Sequence, residues 1–131
     1  MKDTPSTKPR LDKLGVKPEH VVVVLAVRDE VFRRELEARA ARVTTRRARG
    51  ADLIFLACER PKDLEKIATV KGDLAKDGAL WVVRPKGKGH SGPTEHQALQ
   101  AGLEAGLVDV KVVSFSDTHT AEKFVYRLAD R

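Results

Sequence analysis

The sequence contains no asparagine, glutamine only at Gln97 and Gln100, and a single methionine, cysteine, tryptophan and tyrosine. One cysteine, Cys58, excludes an intrachain disulfide and a cysteine-based metal site, and it points to a reducing, cytoplasmic setting. No apolar run approaches the roughly 18 residues that a membrane-crossing helix needs. The first ten residues are polar and carry no apolar core of a secretory signal, so export by a signal peptide is not expected. Aromatics are 5% of the chain, and Phe32, Phe55 and Trp81 fall in core-like runs. That leaves no stacking platform for single-stranded nucleic acid. Scarce thermolabile residues and abundant charge fit a heat-adapted protein or a GC-rich genome equally.

What is present is charge and apolar patterning. The 131 residues are 41% hydrophobic and 34% charged, with 25 Lys and Arg against 19 Asp and Glu, a net charge of +6. This supports one domain with a real core and favours anionic partners. Residues 1–18, with Pro5, Pro9 and Pro18 and several bases, read as a flexible basic N-terminal tail whose Leu11, Leu14 and Val16 can pin its later part to the body; residues 19–131 read as a single domain.

The body alternates strands and helices. Val21–Val27 is a continuous β-branched run suited to a strand buried on both faces. Asp29 caps a helix with Val31, Phe32, Leu36, Ala40 and Ala41 on its apolar stripe and a Glu35–Arg39 pair on its wet face. Arg42–Ala48 suits a solvated edge strand. Asp52–Cys58 is a second central strand, and Pro61 opens a helix that buries Leu64, Ile67, Ala68, Val70, Leu74 and Ala75 and ends at Asp77-Gly78. Ala79–Arg84 is a third central strand. After a Gly-rich stretch from Pro85 to Pro93, Thr94 opens a helix lined by Ala98, Leu99, Ala101, Leu103 and Ala105, with Gly106 at its end. Val108–Phe115 and Lys123–Leu128 are strands joined by a short connection, so they pair antiparallel. The fold class is therefore α/β: a mostly parallel, doubly wound, Rossmann-like sheet with a C-terminal antiparallel hairpin.

Asp52-Leu53-Ile54-Phe55-Leu56-Ala57, followed by a helix and Asp77-Gly78-Ala79-Leu80-Trp81-Val82-Val83-Arg84-Pro85-Lys86-Gly87, resembles the fourth and fifth strands of class I methyltransferases. With Lys13-Leu14-Gly15-Val16-Lys17-Pro18, Ala105-Gly106-Leu107 and Arg127-Leu128, the chain is similar over residues 13 to 129 to a bacterial family of small uncharacterised proteins with a truncated methyltransferase-like fold. The resemblance implies a fold more than an activity. Methyltransferases of this class place a Gly-rich loop after the first strand, where this chain has Ala26-Val27-Arg28-Asp29-Glu30. They end the second strand in an acid that holds the ribose, where this chain has Thr45-Arg46-Arg47-Ala48-Arg49. A strand and helix before Asp52 are also missing. No cofactor is expected on these grounds; AdoMet belongs to the alternative in which the chain is a minimal AdoMet- or nucleotide-dependent transferase.

Candidate sites follow. Gly87-Lys88-Gly89-His90-Ser91-Gly92 has the spacing of a dinucleotide loop, but it follows a late strand and Pro93 stands just past its third glycine. Arg84, Lys86, Gly87, Lys88, Gly89, His90 and Thr94 make an anion-attracting corner at the end of a central strand, and Arg28 and Cys58 lie at the ends of two others. An enzyme reading places Arg28, Asp29, Cys58, Glu59, Arg84 and Lys86 in one pocket. Arg33, Arg34, Arg39, Arg42, Arg46, Arg47 and Arg49 form a basic patch able to meet nucleic-acid phosphates. Cys58 beside Arg60 has the setting of an activated thiol, although a packed, inert one is the simpler reading. His20, His90, His96 and His119 lack metal-ligand spacing, and Asp117 with His119 reads as a polar turn. The expected role is a non-catalytic module for a small anionic ligand or a protein partner, the alternatives being the transferase and a nucleic-acid binder. A homo-oligomer joined through Trp81 and the terminal hairpin stays open.

Overall fold

The computed structural model describes residues 9–87 and 89–131. Its elements are helix α1 (Arg10–Lys13), strand β1 (Val21–Leu25), helix α2 (Glu30–Arg39), strands β2 (Arg42–Thr44) and β3 (Ala51–Ala57), a 3-10 turn (Pro61–Glu65), helix α3 (Lys66–Val70), strand β4 (Leu74–Pro85), helix α4 (Glu95–Glu104), and strands β5 (Leu107–Ser114) and β6 (His119–Tyr126). One six-stranded sheet runs β2-β1-β3-β4-β6-β5. The first four strands are mutually parallel, while β6 is antiparallel to both β4 and β5. The mostly parallel sheet and its antiparallel C-terminal hairpin are those the sequence implies.

Strand alternation divides the core in two. Val22, Val24, Phe55, Trp81 and Val83 face Phe32 and Leu36 of α2 together with Leu11, Leu14 and Val16 from the N-terminal segment. Val23, Ile54, Leu56, Leu80, Val82 and Phe124 face Ile67 and Val70 of α3 and Ala98 of α4. Helices therefore cover both faces, as parallel strands buried on both sides require. The segment 1–18 lies partly outside the described residues; Arg10–Lys13 is helical, and Leu14 is 1% exposed. Trp81 is fully buried in a central strand, stacked on Phe55, and presents nothing to a sheet edge.

Several local expectations change. β1 stops at Leu25 because Ala26 turns into the left-handed region (φ 64°). The second strand keeps only Arg42–Thr44, at the sheet edge. Leu74 and Ala75 belong to β4 and not to a helix, because Leu74 pairs with Ala51. Between the Ala51–Leu74 and Leu53–Ala79 pairs β3 advances two residues and β4 five, and Gly78 sits in that bulge. A side chain there would meet the carbonyl oxygen of Asp52 at 2.7 Å, so glycine is needed for close approach and not as a helix stop. Leu103 is 45% exposed and does not line the buried face of α4, where Gly102 lies against Phe124 instead. Glu35 and Arg39 do not pair with each other: Glu35 takes Arg10 and Arg39 takes Asp12.

Candidate functional site

A cleft of about 530 Å³ opens at the carboxyl ends of β1, β3 and β4. From β1 the chain passes to β2 on one side, and β3 lies on the other, so the cleft occupies the point where strand order reverses. Open α/β sheets bind ligands at such a point. Ala26, Val27, Arg28 and Asp29 come from the β1–α2 turn; Ala57, Glu59, Asp63 and Lys66 from the end of β3 and the turn beyond; Val83 from β4; and Phe115, Ser116, Thr118 and His119 from the β5–β6 connection.

The carboxylates of this wall are already engaged. Asp29 caps α2, its Oδ1 accepting the Phe32 amide at 2.9 Å, while Oδ2 accepts Arg10 Nη1 at 3.1 Å. Asp63 Oδ2 accepts the amides of Glu59 and Arg60, each at 3.1 Å. Burial pushes the Asp63 carboxyl up, but the Arg60 amide, the Lys66 and Arg60 cations and the Glu59 amide together outweigh it and hold the group below the ordinary aspartate value. Glu59 Oε2 lies 2.8 Å from His119 Nε2, and His119 Nδ1 lies 2.8 Å from the Thr118 hydroxyl. That imidazole bridges the two walls of the cleft and gives Glu59 a partner. The cations are freer. Arg28 is exposed and forms no ion pair among the described residues, and Lys66 Nζ stands 3.8 Å from Asp63 Oδ1, a loose contact.

Arg10 bolts the back of the cleft. Its guanidinium reaches Asp29, Glu35 at 3.2 Å and the Phe115 carbonyl at 3.0 Å, and it lies 5.0 Å and 4.9 Å from the Phe32 and Phe115 ring centroids. Nothing in the spacing of the sequence singles out Arg10, since its partners lie up to 105 residues away. Lys66 and Asp63 were hidden for a related reason: in sequence they read as the wet face of a helix.

Of the pocket expected from sequence, Arg28, Asp29 and Glu59 line the cleft, and Cys58, Arg84 and Lys86 do not. Cys58 is fully buried. Burial, then the nearby Asp63 charge, pushes its thiol up to about 12, with Lys66 opposing. Arg60 reaches toward Asp63. The thiol is therefore protonated and inert at neutral pH. Arg84 points to the other face of the sheet, where its Nε donates to Glu122 Oε1 at 2.7 Å. Lys86 Nζ donates to Ser114 Oγ at 2.8 Å. Gly87 and Gly89 take left-handed φ values of 94° and 82° with open space around them, and Lys88 lies outside the described residues. The loop folds back at Gly92, where a side chain would meet Glu59 O at 2.9 Å, and its amide donates to His90 Nδ1. Thr94 caps α4 in a reciprocal pair with Gln97: Thr94 Oγ1 accepts the Gln97 amide and Gln97 Oε1 accepts the Thr94 amide. The α4 start is thus closed on itself. In the arginine patch, Arg33 pairs with Glu30, Arg39 with Asp12 and Arg47 with Asp73, whereas Arg34, Arg42, Arg46 and Arg49 have no ion pair among the described residues. No helix among the described residues is long and apolar enough to cross a membrane.

No family model and no curated protein matches the sequence. Solved structures match the fold. DhpI in complex with SAH is similar at 13% identity with a TM-score of 0.65, over 91% of this chain and 83% of that one. A protein of Sulfolobus solfataricus described as a type 11 methyltransferase is similar at 14% identity with a TM-score of 0.63, over 85% and 86%. A pericyclic reaction enzyme is similar at 15% identity with a TM-score of 0.59, over 97% of this chain and 50% of that one. The chain has a methyltransferase-like α/β fold, and at these identities the likeness concerns the fold alone.

AdoMet is the cofactor this fold implies, and the residues present do not fit the way that class holds it. Beyond β2 stand Thr45, Arg46 and Arg47, with no carboxylate for a ribose. Asp29, beside the β1 turn, already accepts at both oxygens, from the Phe32 amide and from Arg10. The left-handed backbone expected of a glycine is kept at Ala26, but with a methyl group on it.

Proposed function

We propose that the chain is a small-molecule-binding module whose cleft takes a phosphate- or carboxylate-bearing ligand between Arg28 and Lys66. One observation carries this reading: the acidic side chains of the cleft are engaged by internal partners, whereas Arg28 forms no ion pair among the described residues and Lys66 only a loose one, at the point where ligands of open α/β sheets bind. Ser116 and Thr118 add hydroxyl groups on the facing wall.

Thermal denaturation with phosphate, ATP, NAD, AdoHcy and AdoMet tests this. A ligand at about 100 times its Kd adds about 2.7 kcal/mol to stability, so the midpoint should rise by several degrees with an anionic compound. Arg28→Ala and Lys66→Ala should each abolish the rise. A rise with AdoMet and AdoHcy alone, insensitive to both substitutions, would replace this reading by the transferase. No rise with any compound would refute ligand binding in the cleft.

A further inference from the structure

Tyr126 is the last residue of β6, an interior strand, at the end of the sheet opposite the cleft and beside the start of β4. There a recess of about 480 Å³ lies between Lys71, Gly72, Leu74, Lys76, Tyr126 and Asp130. Two ammonium groups lie near one ring: Lys76 Nζ is 4.5 Å and Lys71 Nζ 5.6 Å from the Tyr126 centroid. Their placement is built from below. The buried Tyr126 hydroxyl donates to the carbonyl oxygens of Lys71 at 2.6 Å and Leu74 at 3.3 Å, which fixes the backbone that carries the first lysine. Gly106, in the left-handed region at φ 89°, has no side chain in the way; a Cβ there would stand 2.7 Å from Lys71 Nζ.

Neither lysine forms an ion pair among the described residues, although Asp130 shares the recess. Two like charges gathered on one ring repel, and a bound anion removes that repulsion. We propose that this recess is a phosphate site, separate from the cleft, in which one phosphoryl group bridges Lys71 and Lys76. A tetrahedral, doubly charged group offers acceptors to both ammonium heads at once, which a planar carboxylate of single charge does less well. The phosphate comes either from a free small molecule or from a nucleic-acid backbone.

The test follows backbone amide resonances of the full chain during titration with inorganic pyrophosphate and, separately, with a short single-stranded RNA. Saturable shifts at Gly72, Lys76 and Tyr126 are expected. Lys76→Gln and Lys71→Gln should each weaken them at least tenfold. Asp130→Asn should tighten binding a few-fold, and Lys66→Gln, in the cleft, should leave it unchanged. The same spectra report whether each variant is folded. Shifts with RNA alone assign the phosphate to a polymer backbone; shifts with pyrophosphate assign it to a free molecule. Shifts confined to the cleft, or unaffected by Lys71→Gln and Lys76→Gln, overturn the proposal, as does silence in both titrations.

Discussion

Glu122 is fully buried; one of its oxygens holds the Arg84 guanidinium, and the other, Oε2, has no hydrogen-bond partner among the described residues. Breaking such a pair from one side costs about 3–5 kcal/mol, because a charge is left alone in the core, whereas replacing both partners by apolar groups is often neutral. Arg84→Met should therefore lower stability in urea by that amount, and Arg84→Met with Glu122→Leu should recover most of it; a double variant as weak as the single one would contradict this. Burial raises the Glu122 carboxyl above the ordinary glutamate value, against the pull of Arg84. The folded state thus holds this proton at pH values where the unfolded chain has released it. The stability it contributes is complete below the unfolded value and declines as pH rises through the folded one. Glu122→Gln should accordingly cost more at about pH 4 than at about pH 7, and a difference constant with pH would be evidence against the shift. Cys58 offers a simpler check. With its thiol pushed up to about 12 and no exposure, the native protein should resist thiol reagents at neutral pH and react only when unfolded. Rapid labelling of the folded chain would show an open path to the sulfur.

Helix α4 carries a glycine in its interior, where alanine would raise helix propensity by about 1 kcal/mol. Propensity loses here. A Cβ on Gly102 would stand 2.3 Å from Phe124 Cε1, and Phe124 is fully buried in the sheet below. Gly102→Ala should lower stability by about 1–3 kcal/mol through overpacking, measurable as a fall in the urea midpoint; a rise would mean that the ring moves aside freely. The same contest explains what the sequence conceals at element level. Leu74 and Ala75 continue a helical spacing from Leu64 and Ile67, yet pairing with Ala51 draws them into β4. Val21–Val24 and Leu53–Leu56 read correctly, because strands buried on both faces are continuous apolar runs. Edge strands carry weaker signals: β2 is three residues long, and β5 bulges between Asp109 and Lys111.

For the molecule as a whole, the N-terminal segment is part of the core from α1 onward. Leu14, 1% exposed, packs in the same cluster as Phe32, Phe55 and Trp81. Leu14→Ala should cost about 2–5 kcal/mol, the range for a buried leucine whose site cannot collapse; a loss under about 0.5 kcal/mol would show that the segment merely rests on the surface. The fold was legible in the sequence because alternation of strand and helix is written locally. The cleft was legible only where strands end, at Arg28, Asp29 and Glu59. The residues that set its charge act at long range. Arg10 pairs with Asp29, and His119 meets the Glu59 carboxylate from 60 residues away. Arg84, which sequence places among ligand-binding bases, is claimed by Glu122 of β6, a strand that begins at His119 and not at the Lys123 the sequence implies.

The Arg10 bolt also orders events in time. Its bond to the Phe115 carbonyl spans 105 residues, nearly the whole chain. A contact of such separation requires a long loop to lose its freedom. During synthesis the two core faces have most of their parts before the final hairpin leaves the ribosome, but the back wall of the cleft does not. A chain arrested before β5 lacks Phe115, Ser116, Thr118 and His119, which supply one wall of the cleft.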